Sequence, residues 1–368
     1  MPLNTVSKNT APINIEPLKS ICILRLSAIG DVCNTVAAVQ AIQQHNPDVK
    51  VTWIIGKVEK MLLDGLEGVE FIVFDKSQGS AAFKSLKQEM QGRQFDVLLH
   101  MQVAFRANWA ARFIPAKRKI GFDWHRAKEL HTLVTNERIK AQTEAHVLEG
   151  FFAFAEKLGV PESQRHDLNW RIPIPEPDQA FADTHIPPQS KEVSTRTLVI
   201  SPAASKEERN WLPERYAAIA DYAHQQDFNI VLCGGPGEVD KNLGIAIENF
   251  AHCPIKNLIG QTNLKQMLGL LGNASIVLAP DTGPAHMANS QRTPVLGLYG
   301  HSNPKRTGPY LYQQYVAEVY HKNIQDQTGR NAKHLAWGAR VKGSHIMEQI
   351  SVEMAIEKFE QIVADFKL

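Results

Sequence analysis

Two short stretches hold residues that could do chemistry on a phosphate-bearing substrate. The first is Gly30-Asp31, just behind the apolar run at 21–26. A carboxylate at a helix start is a cap, kept ionised by the helix dipole. At the floor of a cleft it is a general base, with Gly30 letting a substrate approach the backbone. Both readings stand on these residues alone. The second stretch is Asp281-Thr282-Gly283-Pro284-Ala285-His286-Met287, behind the apolar run at 275–279. Pro284 suits a first helical position, and Thr282 or Asp281 an N-cap. Free amides and a positive dipole end then face one spot, suited to an anion such as a diphosphate. Most turns of this kind are empty, so the rest of the chain must decide.

Further candidates sit in other turns. Arg209, in Ser205-Lys206-Glu207-Glu208-Arg209-Asn210-Trp211, adjoins a helix anchored by Trp211-Leu212-Pro213 and could clamp a phosphate bidentately. Its charged neighbours read as solvated loop. Gly234-Gly235-Pro236-Gly237-Glu238 is either a tight turn or a loop offering Glu238 to sugar hydroxyls. His286 is a cap, a packed histidine or a ligand contact. No second histidine stands at metal-ligand spacing and no loop carries a DxD-like pair, so no metal and no cofactor are expected. The turn at 27–31 has one glycine and is no dinucleotide fingerprint, which argues against a nicotinamide enzyme.

The elements that must position these groups alternate. Apolar runs at 21–26, 51–55, 69–74 and 95–100 read as strands separated by helices, and a long helix is expected over 142–158. Residues 161–196 are rich in proline. The alternation restarts with strands at 197–201, 229–233, 275–279 and 294–299. This is an α/β chain with parallel sheets in two Rossmann-like halves facing a cleft, where ligands sit outside the carboxyl ends of strands. The expected organisation is a flexible segment at 1–18, a first domain at 19–172, a linker at 173–196 and a second domain at 197–350. An amphipathic helix at 351–368 is expected to complete the first domain.

A length of 368 residues, with 43% hydrophobic and 21% charged residues, fits two soluble domains. A net charge of +2 argues against a nucleic-acid partner. Cys22, Cys33, Cys233 and Cys253 are scattered, and the first and third lie in apolar runs as packed thiols of a reducing compartment. Residues 1–18 lack the apolar core of a signal peptide, and no apolar run is long enough to span a membrane. A cytoplasmic protein is expected.

Taken in order, these pieces resemble glycosyltransferase family 9, the bacterial lipopolysaccharide heptosyltransferases. The marks are Arg25-Leu26-Ser27-Ala28-Ile29-Gly30-Asp31-Val32, Gly260-Gln261-Thr262-Asn263-Leu264, the turn at 281–286 and Tyr299-Gly300-His301-Ser302-Asn303-Pro304. The resemblance implies a GT-B fold and an inverting, metal-independent transfer, with the nucleotide-sugar held mainly by the second domain. It implies Asp31 as base and Arg209 at the donor phosphates. Ser205, Glu238, Asp281, Thr282, Gly283 and His286 become donor contacts. The family more often has lysine where Arg209 stands, and Leu212 is an insertion before the proline. The segment from 310 to 350 has no clear match. ADP-heptose is the favoured donor. A lipid-linked core oligosaccharide at the inner membrane surface is the implied acceptor, with a peripheral position at that membrane's cytoplasmic face left open. On the acceptor side, Gly30, Lys57, Arg106 and Arg126 are candidates to meet an anionic acceptor, against the alternative of plain solvated surface. A nucleotide-sugar epimerase of similar build and a catalytically silent binding protein are the competing readings.

Overall fold

A computed structural model describes residues 18–143, 145–168, 170–188, 195–336 and 338–368. The flexible segment expected at 1–18 lies, but for Leu18, outside the described residues. The first half runs β1 (Ser20–Leu24), α1 (Ile29–His45), β2 (Lys50–Ile55), α2 (Lys57–Leu63), β3 (Val69–Val73), α3 (Ser80–Glu89), β4 (Phe95–His100), α4 (Phe105–Ala111), β5 (Ala116–Gly121), β6 (Glu137–Arg138) and α5 (Val147–Lys157). A connecting helix follows, α6 (Glu176–His185). The second half opens with β7 (Arg196–Ile200), α7 (Pro213–Gln225), β8 (Phe228–Leu232), α8 (Glu238–Phe250), β9 (Ile255–Asn257) and α9 (Leu264–Asn273). It continues through β10 (Ile276–Pro280), α10 (Gly283–Ser290), β11 (Val295–Tyr299), α11 (Pro304–Thr307), β12 (Val316–Glu318), α12 (Tyr320–Thr328) and α13 (Val352–Phe366).

Each half folds its six strands into one parallel sheet, ordered β3-β2-β1-β4-β5-β6 and β12-β11-β10-β7-β8-β9. Apolar strands buried on both faces drive this, as in β1, where Ile21, Cys22, Ile23 and Leu24 are fully buried. In both sheets the strand order reverses beside the first strand, between β1 and β4 and between β7 and β10. Such a switch point opens a crevice at the carboxyl ends. The turn bearing Asp31 leaves β1, that bearing Arg209 leaves β7, and that bearing Asp281 leaves β10. This is the two-sheet GT-B architecture. No helix among the described residues is long and apolar enough to cross a membrane.

Three expectations are corrected. Helix α13 completes the second half, not the first. Its apolar stripe finds aromatic partners there: Phe359 packs on Phe228 (ring centroids 5.0 Å) and Tyr222 (6.1 Å), and Asp365 accepts from the Tyr315 hydroxyl at 2.8 Å. The proline-rich linker contains α6, docked on α9 where Gly269 lacks a Cβ that would lie 2.8 Å from that of Ala182. Asn273 Nδ2 ties it further to Asp183 and the Ile186 carbonyl, each at 2.8 Å. Sequence periodicity missed this helix because only Ala182 of its ten residues is buried. The long helix expected from 142 starts at Val147, after His146 takes the N-cap: its Nδ1 accepts from Leu148 N at 3.0 Å, while Glu149 accepts from His146 N at 2.9 Å. The unmatched segment supplies the edge strand β12 and helix α12, and Lys117, Arg118 and Lys119 lie on strand β5. All four cysteines are free thiols, and Cys22, Cys33 and Cys233 are buried.

Buried neutral histidines make the fold acid-sensitive. Burial lowers His146 to about 3 and His131 to about 4, and holds His100 well below the ordinary value. His146 also joins the halves, its Nε2 lying 2.8 Å from the Gly308 carbonyl. In the unfolded chain these groups gain a proton near pH 6.5, whereas in the fold they resist it. Their contribution is therefore complete above about pH 6.5 and is lost as the pH falls towards 4 and then 3. At pH 5 His146 and His131 each cost about 2 kcal/mol. Urea unfolding from pH 7.5 to 5 is expected to show a falling midpoint, with a shallower pH slope in His146→Gln.

Candidate active site

The first turns of α1 and α10 abut. A Cβ on Gly30 would come 2.3 Å from His286 Cδ2, and one on Gly283 would lie 3.0 Å from Ile29 Cγ2. The base candidate and the anion turn, distant in sequence, are thus face to face across the two halves. Around them the halves are joined by Lys265 Nζ, which donates to the Asp64 carbonyl at 2.8 Å and also to that of Pro173. The Trp170 indole donates to the Cys33 carbonyl at 2.7 Å.

Asp31 caps the start of α1 and is also paired with a cation. Its Oδ2 accepts from the Ala28 amide at 3.4 Å, as a cap does, and forms an ion pair with the Arg25 guanidinium. Both bonds fall on one oxygen, so Oδ1 has no partner among the described residues, and the carboxylate is about one-third exposed. Arg25 is held in turn: Nη1 donates to the Met101 carbonyl at 2.6 Å and the guanidinium lies over the Phe151 ring at 5.0 Å. Burial lowers its pKa, and Asp31 opposes that shift.

Opposite, Thr282 occupies the N-cap position of α10, but its hydroxyl donates back to the Pro280 carbonyl at 3.2 Å and caps nothing. The leading amides of α10 are left without a side-chain cap. His286 is buried and its Nδ1 has no partner among the described residues. Burial lowers its pKa, while the charges of Asp281 and Asp31 pull the other way. Arg209 Nη1 stands 4.0 Å from Asp281 Oδ2, both side chains are mostly buried, and Arg209 Nε lacks a partner among the described residues. A narrow crevice behind them is lined by Arg209, Asp281, Gly300, His301 and Met347. His301 secures its wall, with ring nitrogens 3.0 Å from the Val341 carbonyl and 2.9 Å from that of Glu208.

The remaining candidates separate. Ser205 lies exposed in the loop before Arg209. Glu238 is exposed at the start of α8 and paired with Lys241 at 3.4 Å, while Asp240 shapes the glycine turn by accepting from Gly235 N at 2.8 Å. Lys57, at the start of α2, and Arg106, on α4, are exposed. Arg126 is engaged structurally: Nε donates to Asp123 at 2.5 Å and Nη2 to Gln142 at 3.2 Å.

Sequence reasoning missed three groups. Arg25 stands six residues before Asp31, a spacing visible in the sequence. Arg306, two residues past Pro304, is half-buried and has no ion-pair partner among the described residues; burial lowers its pKa, and it feels the charges of Asp31, Arg340, Asp281 and Arg25 in that order. Arg340, from the unmatched segment, also acts on Arg209. Four arginines thus face two carboxylates, leaving a cleft that can take a polyanion.

Gly30→Ala places a methyl group inside the His286 ring's contact distance, so the halves must part or the ring must move. We expect a stability loss of about 1–3 kcal/mol in denaturant titration, typical of overpacking. Gly283→Ala, whose clash with Ile29 is milder, should lose less. Equal stability of Gly30→Ala and the parent would disprove the contact.

Comparison with known proteins agrees with this fold. The family model "Glycosyltransferase family 9 (heptosyltransferase)" matches residues 83–336. The chain is 41% identical over 351 residues to the lipopolysaccharide core heptosyltransferase OpsX of Haemophilus influenzae, covering 95% of this chain and 99% of that one. It is 23% identical to lipopolysaccharide heptosyltransferase 1 of Escherichia coli, covering 83% of this chain and 95% of that one. Among solved structures, a family 9 glycosyltransferase from Veillonella parvula superposes with a TM-score of 0.74 at 20% identity, covering 94% of this chain and 97% of that one. E. coli heptosyltransferase WaaC with ADP superposes with 0.71 at 19% identity, covering 93% and 99%. The fold, the strand-end turns and the sequence relationship lead to one conclusion: the chain is an enzyme belonging to glycosyltransferase family 9, the heptosyltransferases.

Proposed function

We propose that this enzyme transfers a heptose from ADP-heptose to a lipid-linked inner-core oligosaccharide, with inversion and without a metal. The reading rests on the abutment of Gly30-Asp31 with the α10 turn, with Arg25 paired to Asp31 and Arg209 beside Asp281. The ADP bound to the E. coli relative and the core heptosyltransferase activity named for the H. influenzae relative support the choice of donor and acceptor.

An acceptor hydroxyl is a poor nucleophile. Asp31 Oδ1 takes its proton as the oxygen attacks the anomeric carbon, while Arg25 holds Oδ2 and fixes the carboxylate's orientation. The nucleoside diphosphate leaves from the opposite face, which inverts the configuration. Charge growing on it is met by Arg209, Arg306 and the amides of Thr282, Gly283 and Ala285. Glu238 and Ser205 join only once a donor spans the cleft, since both are exposed beforehand. The acceptor is carried at the cytoplasmic face of the inner membrane.

Asp31→Asn is expected to bind ADP within twofold of the parent by calorimetry while transfer falls about a thousandfold. Undiminished transfer would remove Asp31 as the base. Arg306→Gln should lower kcat roughly a hundredfold, equivalent to about 3 kcal/mol of transition-state stabilisation. An unchanged kcat would leave leaving-group stabilisation to Arg209 and the amides. Transfer should proceed at an undiminished rate in excess EDTA, and UDP-sugars should be poor donors.

A further inference from the structure

The first half exposes apolar side chains unevenly. Five of the twelve large apolar residues exposed among the described residues fall between 105 and 133: Phe105, Trp109, Trp124, Leu130 and Leu133, at 43–76% exposure. Scattered exposed leucines need no explanation, but a cluster does. These five form one surface because their backbones are tied together. The Glu129 carboxylate accepts from Phe105 N, and Asn108 Nδ2 donates to the Glu129 carbonyl at 2.5 Å. The loop bearing Trp124 is joined to the same turn by Phe122 N, which donates to His131 Nε2 at 3.1 Å.

The fold accepts strain to present this surface. Glu129 and Leu130 are consecutive left-handed residues, at φ 52° and 66°, a conformation a leucine rarely adopts. That turn holds Leu130 out in water at 61% exposure. The charge is also biased. Residues 105–138 hold eight Lys and Arg against three Asp and Glu, a net +5 in a chain whose total is +2. Arg112 lies over the Trp109 ring at 4.9 Å and Arg138 over Trp124 at 3.7 Å, while Lys128 is exposed. Interleaved aromatic, leucine and cationic side chains match the boundary between anionic headgroups and acyl chains. The patch leaves the carboxyl ends of β4 and β5, the edge from which Asp31 leaves β1, so it flanks the mouth of the cleft.

We propose that this rim docks on an anionic lipid bilayer, with the aromatic and leucine side chains entering the headgroup boundary and the cations meeting lipid phosphates. The inference rests on the reading that the acceptor is lipid-carried, and it names the surface that brings the cleft to it.

The test is co-sedimentation of the full chain with phosphatidylcholine vesicles, with and without phosphatidylglycerol. Binding should require the anionic lipid and weaken steeply with salt. Leu130→Asn/Leu133→Ser should abolish it, asparagine being tolerated at a left-handed position. Arg112→Glu/Lys128→Glu should weaken it at least fivefold per residue. Both variants should keep the parent unfolding midpoint and the parent rate on a deacylated, water-soluble acceptor, while kcat/KM for vesicle-borne acceptor falls. Absence of vesicle binding, binding equal on neutral vesicles, or binding unaltered in both variants would overturn the docking face. So would a dimer in sedimentation velocity that the leucine variant dissolves, which would make this face a contact between two copies. Transfer to the soluble acceptor with no vesicle binding would sink the docking face and leave the acceptor reading intact. Vesicle binding with no transfer to any core acceptor would do the reverse.

Discussion

The close approach of Gly30 to the His286 ring governs the geometry of the cleft. Two helices, each starting at the carboxyl end of a central strand, meet first turn to first turn, and only a residue without a Cβ allows it. This brings two positive dipole ends towards one volume. Asp31 supplies negative charge on one side. On the other, the α10 amides have no side-chain cap, because the Thr282 hydroxyl is spent on the Pro280 carbonyl. A donor diphosphate and an acceptor hydroxyl would be held between those two ends in the proposed reaction.

Charge then decides what the cleft can hold. Burial depresses the pKa of Arg25, Arg209 and Arg306, the sign of cations withdrawn from water with incomplete compensation. Asp31 answers Arg25 by direct contact, and Asp281 answers Arg209 only at 4.0 Å. Arg209 Nε and His286 Nδ1 have no partner among the described residues, and both side chains feel the charge of Asp281. A site with these charges gains more from a polyanion than from a neutral ligand, since each phosphate oxygen relieves a desolvated donor.

Legibility varied with how local the cause was. The alternation of strands and helices was readable because each central strand is buried on both faces and so apolar throughout, as in 21–24 and 276–280. Helix α6 was hidden because docking on α9 needs only Ala182 and a missing Cβ at Gly269. Strand β5 was hidden because its cations are answered by acids on the neighbouring strands, Lys117 by Asp96 at 2.9 Å and Arg118 by Glu137 at 2.6 Å. The amphipathic stripe of α13 was visible, but a stripe does not name its partner. Phe228, Tyr222 and Tyr315 lie far away in sequence, and they drew it to the second half.

Residue type, spacing and the strand–turn–helix grammar by themselves determined two α/β halves, a carboxylate behind β1, an anion turn behind β10 and the family to which such a pattern belongs. Those are properties of a few consecutive residues, and local backbone preferences suffice to express them. Only the tertiary structure decided that Gly30 faces His286, that Arg25 holds one oxygen of Asp31, that Arg306 and Arg340 join Arg209, and that Arg126 is bound to Asp123 and Gln142. Each depends on where two separately folded sheets come to rest against each other, or on where a long flexible side chain finds its nearest opposite charge. Neither is written in the spacing of residues along a chain.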